Sequence, residues 1–219
     1  MKLLVLTFID KHGTYDQLIN ITKPNHESYC SKHNYDYKLE ILPCDITHNV
    51  CTPELSLERS KLVRKYIDEY DVVVEIGCDI IFTNFNKNFQ DIILQGDNMI
   101  IAREQKNTWP INDDVMVWVK TEQSKLLLDT IISSFSVWRH MKYIRQSWLV
   151  EVINGDNSIK DTIRVVDARV MNSHPPSGDV NDIDPAGRWQ RGDFICHCLG
   201  MYWNDKLTAA RWMVDNAIL

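Results

Sequence analysis

The chain has 219 residues, 44% hydrophobic and 25% charged, the proportions of a soluble globular protein long enough to bury a full α/β core as one domain over 1–219. Its 24 basic against 30 acidic residues argue against a nucleic-acid binder that works by neutralising many phosphates, while leaving room for a local pocket that takes one diphosphate. The six cysteines (Cys30, Cys44, Cys51, Cys78, Cys196, Cys198) show no paired zinc spacing and read as free thiols of a reducing compartment.

Met1–Phe8 is apolar but too short for a membrane span or a signal h-region, and reads as a first buried parallel strand over 2–8. No other segment approaches membrane length, so any membrane contact is expected to be peripheral or made through a partner or another domain, and a cytoplasmic location is expected. From Thr14 to about His33 the pattern is helical, interrupted near Pro24, and Tyr35–Leu42 alternates in period two as the next strand. After a polar loop containing Pro43, Cys44 and Pro53, Leu55–Tyr70 forms an amphipathic helix with Leu55, Leu62, Val63, Tyr66 and Ile67 on its apolar side.

Residues 71–76 are the most hydrophobic strand and are expected at the centre, covered on both faces. Asn98–Ala102, Val115–Val119 and Thr162–Val166 are further strands, and Thr121–Phe135 and Lys142–Ile153 are helices. Met171–Gln190, with Pro175, Pro176, Gly178, Pro185 and Gly187, reads as a binding loop or lid. Strands alternating with helices imply a mostly parallel, doubly wound sheet with one antiparallel strand and helices on both faces. Ligands of such sheets bind beyond the carboxyl ends of the strands, where Thr7, Asp79 and the loop after Ala102 fall. No Gly-x-Gly-x-x-Gly follows the first strand and no Gly-x-x-x-x-Gly-Lys occurs, so phosphates must be held by a metal or by side chains.

Two segments carry the chemistry. Val72–Ile76 runs into Gly77-Cys78-Asp79 before a second apolar run, Ile80-Ile81-Phe82. In period two Glu75, Gly77 and Asp79 share a face, and Gly77 leaves space beside Asp79 for a ribose or a metal. Far downstream, Asp193-Phe194-Ile195-Cys196-His197-Cys198-Leu199-Gly200 delivers one histidine and then a glycine that permits close backbone approach to a ligand. Asp79 also reads as an ordinary strand-end residue and His197 as a satisfied core histidine. Together they could hold a divalent cation, Mn²⁺ or Mg²⁺, with open positions for a diphosphate. Arg59, Lys61 and Arg191 are candidate phosphate or ribose contacts or plain solvated charges. Trp109, Trp148, Trp189 and Trp203 offer either stacking faces or core packing.

Val74-Glu75-Ile76-Gly77-Cys78-Asp79-Ile80-Ile81-Phe82-Thr83-Asn84 resembles the W-I-D-S-D-A-L-x-x-N segment of GT-A-fold glycosyltransferases, in particular the retaining family of fungal galactosyl- and mannosyltransferases and plant xyloglucan xylosyltransferases. Gly192–Gly200 is similar to that family's G-D-F-x-x-H-x-x-G, Arg145-Gln146-Ser147-Trp148-Leu149 to its D-Q-S-A-L, and Asn112-Asp113-Asp114-Val115-Met116-Val117 to its N-x-G-V-F-L. Asn25–Cys30 followed by Asn34-Tyr35-Asp36 resembles N-x-x-x-Y-A…G-Y-D. These pieces, in order, cover nearly the whole chain, whose small size also resembles capsid-modifying glycosyltransferase domains of large algal viruses; host cytoplasm would then be the location. The chain departs from the family at Gly77, which replaces the first Asp of Asp-x-Asp, at Arg145, which replaces an acidic residue, and at Asp114, which replaces a glycine. Either Asp114 or Glu75 could supply the lost carboxylate.

The resemblance implies a GT-A, Rossmann-like mixed sheet and a metal-dependent, retaining transfer of a hexose or deoxyhexose from a UDP-sugar to a glycan or glycoprotein. It implies Asp79 and His197 as metal ligands, Gln146 on the reacting face of the sugar, and Asn112 and Asp114 on donor-sugar hydroxyls. Thr7, Arg59, Lys61, Gly77, Asp79, Asn112, Arg191 and Gly200 are then the expected nucleotide-sugar contacts. The competing classes are a metal-dependent phosphohydrolase or nucleotidyltransferase, which would need more carboxylates than the region of Asp79 offers, and a non-catalytic carbohydrate-binding domain.

Overall fold

Alternation along the first strand decides how the fold is layered. In the computed structural model, which describes residues 1–13, 15–43, 52–104, 110–155, 159–176 and 185–219, β1 (Leu3–Asp10) sends Leu4, Leu6 and Phe8 into one apolar cluster and Leu3 and Val5 into another on the opposite face. The chain continues through α1 (Asp16–His33), β2 (Asp36–Leu42), α2 (Pro53–Tyr66), β3 (Val72–Ile76), β4 (Ile80–Phe82), β5 (Met99–Ala102), β6 (Asn112–Val119) and α3 (Glu122–Ser133). It closes with α4 (Phe135–Trp138), α5 (Ile144–Asn154), β7 (Ile163–Val166), α6 (Ala168–Met171), β8 (Ile195–His197) and α7 (Trp203–Asp215).

Six strands form one sheet in the order β2-β1-β3-β6-β5-β7, in which β6 runs antiparallel to both neighbours and every other pair is parallel. Side chains of α2, α3 and α5 cover the face that carries Leu4 and Leu6. Tyr29 and Cys30 of α1 and Met171 of α6 help cover the other. This is the mixed, mostly parallel sheet between helical layers that the alternation of elements implies.

The direction of β6 shapes the carboxyl end of the sheet. Because it runs against β3, its first residues lie beside the carboxyl end of β3: Ile76 pairs with Val115, and Gly77 N–H donates to the Asp114 carbonyl at 2.8 Å. Beyond Gly77 the chain turns into β4, which leaves the main sheet and pairs antiparallel with β8, placing Ile80 opposite His197. A polar stripe of α1 grips this second unit. Thr22 donates to the Cys78 carbonyl at 2.9 Å, Asn25 makes two 2.9 Å bonds with the backbone of Phe82, and His26 Nε2 donates to the Ile80 carbonyl at 2.7 Å. Burial drives His26 down to about 4, so it serves as a neutral clamp. Tyr29 stacks on Phe82 with centroids 3.8 Å apart. The Asn25–Tyr29 segment is thus the mould for the turn that carries Asp79.

Several sequence expectations shift. α1 passes through Pro24 without a break: Pro24 cannot donate to the Asn20 carbonyl, but both residues face solvent while the buried stripe holds the turns on either side. α2 starts at Pro53, capped by Thr52 Oγ1 accepting from Leu55 N–H at 3.2 Å, and ends at Tyr66 rather than Tyr70. β3 stops at Ile76, so Gly77 and Asp79 belong to a turn and not to its pleat. The segment bearing His197 forms β8, which pairs with β4 outside the main sheet, and α7 was not anticipated. Cys44, Cys51, Trp109 and 177–184 of the proposed lid lie outside the described residues; Cys30, Cys78, Cys196 and Cys198 are free thiols. No described helix is long and apolar enough to cross a membrane.

Candidate active site

Three chain segments meet at the carboxyl end of β3. The turn after β3 brings Asp79, the start of β6 brings Asp114, and β8 brings His197 from beneath. His197 Nε2 lies 3.4 Å from Asp79 Oδ1 and 3.4 Å from Asp114 Oδ2, fully buried and without a hydrogen-bond partner. Its other nitrogen is committed: Nδ1–H donates to Asn172 Oδ1 at 2.8 Å, and Asn172 Nδ2 donates to the Arg103 carbonyl at 2.9 Å, which fixes both the amide and the ring. Nε2 is therefore the atom turned toward the carboxylates. Burial alone favours the neutral ring, but the charge of Asp79, with Asp114 behind it, lifts the imidazole to about 9. Burial likewise opposes ionisation of Asp79, and Lys206 and His197 outweigh it, holding the carboxyl well below the usual range.

Behind these groups runs a line of alternating charges. Arg59 donates from Nε to Glu75 Oε1 at 2.7 Å, from Nη1 to Asp114 Oδ1 at 3.3 Å and from Nη2 to the Asp113 carbonyl at 3.2 Å. Arg145, fully buried, donates to Glu75 Oε1 and to Asp113 Oδ2, both at 2.9 Å, and to Ser60 Oγ at 3.0 Å. On the outer side, Lys206 of α7 sits 2.6 Å from Asp79 Oδ2. Three cations (Arg59, Arg145, Lys206) thus interleave with four carboxylates (Glu75, Asp79, Asp113, Asp114), leaving the unpartnered His197 nitrogen where one more positive charge balances the set.

A cavity of about 510 Å³ opens over this line. Arg59, Gly77, Asp79, Asp114 and Lys206 form its polar wall, while Phe8, Tyr15, Leu55, Tyr143, Met201 and Trp203 form its apolar one. Of the residues nominated by sequence, Arg59, Gly77, Asp79, Asp114 and Gly200 line it, with His197 directly below. Gly77 is fitted closely, since a Cβ there would lie 3.1 Å from Asp79 Oδ1 and 3.5 Å from Asp114 Oδ1. Gly200, at φ +66°, turns the chain between β8 and α7.

The others lie elsewhere. Thr7 is buried on the opposite face from Phe8, 3.5 Å from His26 Nδ1, because successive side chains of β1 alternate. Lys61 is exposed and paired with Glu58, two residues and therefore more than half a helical turn from Arg59. Arg191 is exposed, outside the cavity lining. Asn112 is buried and accepts from Asp114 N–H at 3.0 Å while donating to Glu104. Gln146 donates to the Ile111 carbonyl at 2.7 Å and is not among the lining residues. Trp148 packs in the core and Trp189 donates to Thr83 Oγ1, whereas Trp203 lines the cavity edge-on to Tyr15. Asp193 closes the loop before β8, binding Arg169, Ser173 and the Gln190 N–H.

Sequence reasoning missed Lys206, Asn172 and Asp113. Lys206 carried a usable signal: it shares the inward stripe of α7 with Ala209, Ala210 and Met213, and a cation on an apolar stripe asks for a buried partner. Ile144 also stands out. It is β-branched yet held at φ +51°, between Tyr143 at the cavity and buried Arg145, a backbone strain of the kind that persists where surroundings over-determine the chain.

Once it gives up its proton, the imidazole Nε2, with the Asp79 oxygen beside it, suits a hard divalent ion whose remaining positions are filled by phosphate oxygens. Among the described residues no group of three or more His, Cys, Asp or Glu side chains makes a self-sufficient metal centre. A cation here depends on the pair and on its ligand.

No protein-family model matches the chain, and no curated protein matches it in sequence. Solved structures do match. The chain is similar to a glycosyltransferase involved in the glycosylation of the major capsid of PBCV-1, with a TM-score of 0.73 at 16% identity over 97% of this chain and 100% of that one. It is similar to the galactosyltransferase LgtC, solved with donor and acceptor sugar analogues (TM-score 0.60, 12% identity, 99% and 96% covered), and to mouse xyloside xylosyltransferase 1 (TM-score 0.58, 11% identity, 91% and 98% covered). What is shared at these identities is the fold, the Rossmann-like GT-A sheet of glycosyltransferases.

Proposed function

We propose that the chain transfers a hexose or deoxyhexose from a UDP-sugar to a glycan or glycoprotein acceptor, with retention of anomeric configuration. One observation carries the reading: Asp79, Asp114 and the orphaned His197 nitrogen converge with Arg59 and Lys206 on one wall of a cavity at the carboxyl end of β3. Nucleotide ligands of open α/β sheets bind in that position.

When bound, a divalent cation such as Mn²⁺ or Mg²⁺ supplies positive charge against the departing diphosphate, and Asp79 Oδ1 and His197 Nε2 are the atoms that would hold it. Asn172 keeps the ring turned so that Nε2 faces the ligand. Arg59, locked by Glu75, fixes Asp114 in the cavity wall, where its other oxygen can accept from a donor-sugar hydroxyl. Gly77 and Gly200 keep the approach free of side chains, and the rings of Tyr15, Tyr143 and Trp203 offer faces to the base or the sugars. Gln146 acts through its bond to Ile111, setting the start of β6 and hence Asn112 and Asp114.

No carboxylate base is needed on the far side of the sugar in a retaining transfer, because the leaving diphosphate can take the acceptor's proton on the same face. Arg145, buried and paired on three sides, cannot serve as such a base. Incubation with a panel of UDP-sugars, Mn²⁺ and glycan acceptors should release UDP in an acceptor-dependent way. Phosphate or pyrophosphate release without sugar transfer would favour a phosphohydrolase, and sugar binding without any nucleotide binding would favour a carbohydrate-binding domain.

A further inference from the structure

We propose that Asp114 is a third protein ligand of the divalent ion: its Oδ2 joins Asp79 Oδ1 and His197 Nε2, so that the carboxylate missing at Gly77 is supplied from the neighbouring strand. This rests on the nucleotide-sugar reading of the cavity and specifies which side chains hold the ion there.

The buried imidazole sets the geometry. Nε2 has no hydrogen-bond partner and lies 3.4 Å from both Asp79 Oδ1 and Asp114 Oδ2. Atoms that bind one small divalent ion side by side, each at about 2.1 Å, stand about 3 Å apart. Two carboxylates therefore flank the nitrogen at close to that spacing. Asp114 is held in place from three directions: its N–H donates to Asn112 Oδ1 at 3.0 Å, its carbonyl accepts from Gly77 N–H at 2.8 Å, and its Oδ1 accepts from Arg59 at 3.3 Å. Its Oδ2 faces His197, on a side chain 30% exposed in the cavity wall. That oxygen has two lone pairs, one for an ion and one for a donor-sugar hydroxyl. Glu75 and Asp113 do not compete for the role, since Glu75 is buried under Arg59 and Arg145, Asp113 is held by Arg145, and neither lines the cavity.

The departures at Gly77 and Asp114 are then one exchange. A Cβ at residue 77 would lie 3.1 Å from Asp79 Oδ1, 3.5 Å from Asp114 Oδ1 and 3.6 Å from Asp114 Cβ. A carboxylate at either position reaches the same space, and with Asp114 present residue 77 fits best bare. The acidic group has moved one strand across, from the end of β3 to the start of β6, and the number of carboxylates is unchanged. At rest Arg59 and Lys206 each hold an oxygen of one of the two aspartates, so the three side chains become a site only when phosphate oxygens fill the remaining positions.

Electron paramagnetic resonance of free Mn²⁺, titrated into the chain with UDP, tests this in the wild type, Asp114→Asn, Asp114→Gly and the double variant Asp114→Gly/Gly77→Asp. UDP carries no sugar, so a residue that touched only donor hydroxyls would not register. Asp114→Asn, which keeps an oxygen for Arg59, should weaken Mn²⁺ by at least the roughly 10- to 100-fold that losing an outer-shell partner of a metal ligand costs. Its calorimetric affinity for UDP in EDTA should be no weaker than that of the wild type. Asp114→Gly should lose Mn²⁺ affinity to a similar extent, and adding Gly77→Asp should restore it by about 10-fold, roughly 1.4 kcal/mol. Asp114→Asn that binds Mn²⁺ beside UDP as tightly as the wild type would overturn the assignment and leave the nucleotide-sugar reading intact. A double variant no better than Asp114→Gly would do the same, as would a wild type that binds UDP but takes up no Mn²⁺ beside it. A chain that binds UDP neither in EDTA nor with Mn²⁺ overturns both.

Discussion

Replacing Arg145 by Met tests the charge line where it is most deeply buried. The guanidinium is fully buried and holds Glu75 Oε1 and Asp113 Oδ2 at 2.9 Å and Ser60 Oγ at 3.0 Å. Methionine fills much of the volume but leaves Glu75, whose Oε2 is already unpartnered, with Arg59 alone, and leaves Asp113 Oδ2 without its cation. Removing one partner of a buried ion pair costs about 3–5 kcal/mol, a large share of the ~5–15 kcal/mol by which a domain is stable. With a urea m-value of about 2–3 kcal/mol per M, the unfolding midpoint should fall by about 1–2.5 M at unchanged m. Adding Asp113→Asn should recover at least about 1 kcal/mol, because the loss comes from an uncompensated carboxylate and not from lost packing. UDP affinity should fall as well, since Asp113 and Arg59 set Asp114. A loss below about 1 kcal/mol, or a double variant as unstable as the sum of the single ones, would refute this account of the network.

Other outcomes rest on the same geometry. His197, near 6.5 when unfolded and lifted to about 9 when folded, contributes stability that is complete below pH 6.5 and lost as pH rises through about 9; a melting-temperature profile in EDTA should fall across that window and flatten there in His197→Gln. Asp79, depressed by Lys206 and His197, works in the opposite sense, its contribution being lost as pH falls below the usual carboxylate range. Gly77→Ala should leave the fold intact but weaken UDP by about 10-fold, roughly 1.4 kcal/mol, by pressing a methyl group 3.1 Å from Asp79 Oδ1; unchanged calorimetry would show that the turn yields. Asn25→Ala strips two bonds from the buried backbone of Phe82 and should cost about 2–3 kcal/mol in denaturant unfolding, whereas a loss near zero would mean that α1 does not hold β4. An NMR time course of transfer should show the product anomer matching that of the donor, and inversion would exclude the proposed mechanism.

The sequence by itself determined the layers, and it nominated Asp79 and His197, which the fold brings within 3.4 Å of each other. Strands as apolar as Val72–Ile76, broken only at Glu75, alternation in β2, and helical spacing in α2 and α3 report local geometry and burial, and the structure places all six expected strands in one sheet. Asp79 and His197 were legible because each interrupts a short apolar run. Arg59 could have been separated from Lys61 in the same way: it lies four residues from both Leu55 and Val63, on the buried face of α2, while Lys61 does not. Only the tertiary structure decided which charges meet. Asp114 reaches Asp79 because β6 runs against β3, a direction that no local period encodes. Lys206 reaches Asp79 across 127 positions, and Arg145 reaches Glu75 across 70, because β4 leaves the sheet to pair with β8 and α5 packs over the main sheet. Hydrophobic periodicity is a property of neighbours along the chain. The partner of a buried charge is a property of neighbours in space, so Arg145 read as a departure in the sequence and stands as the anchor of the site in the fold.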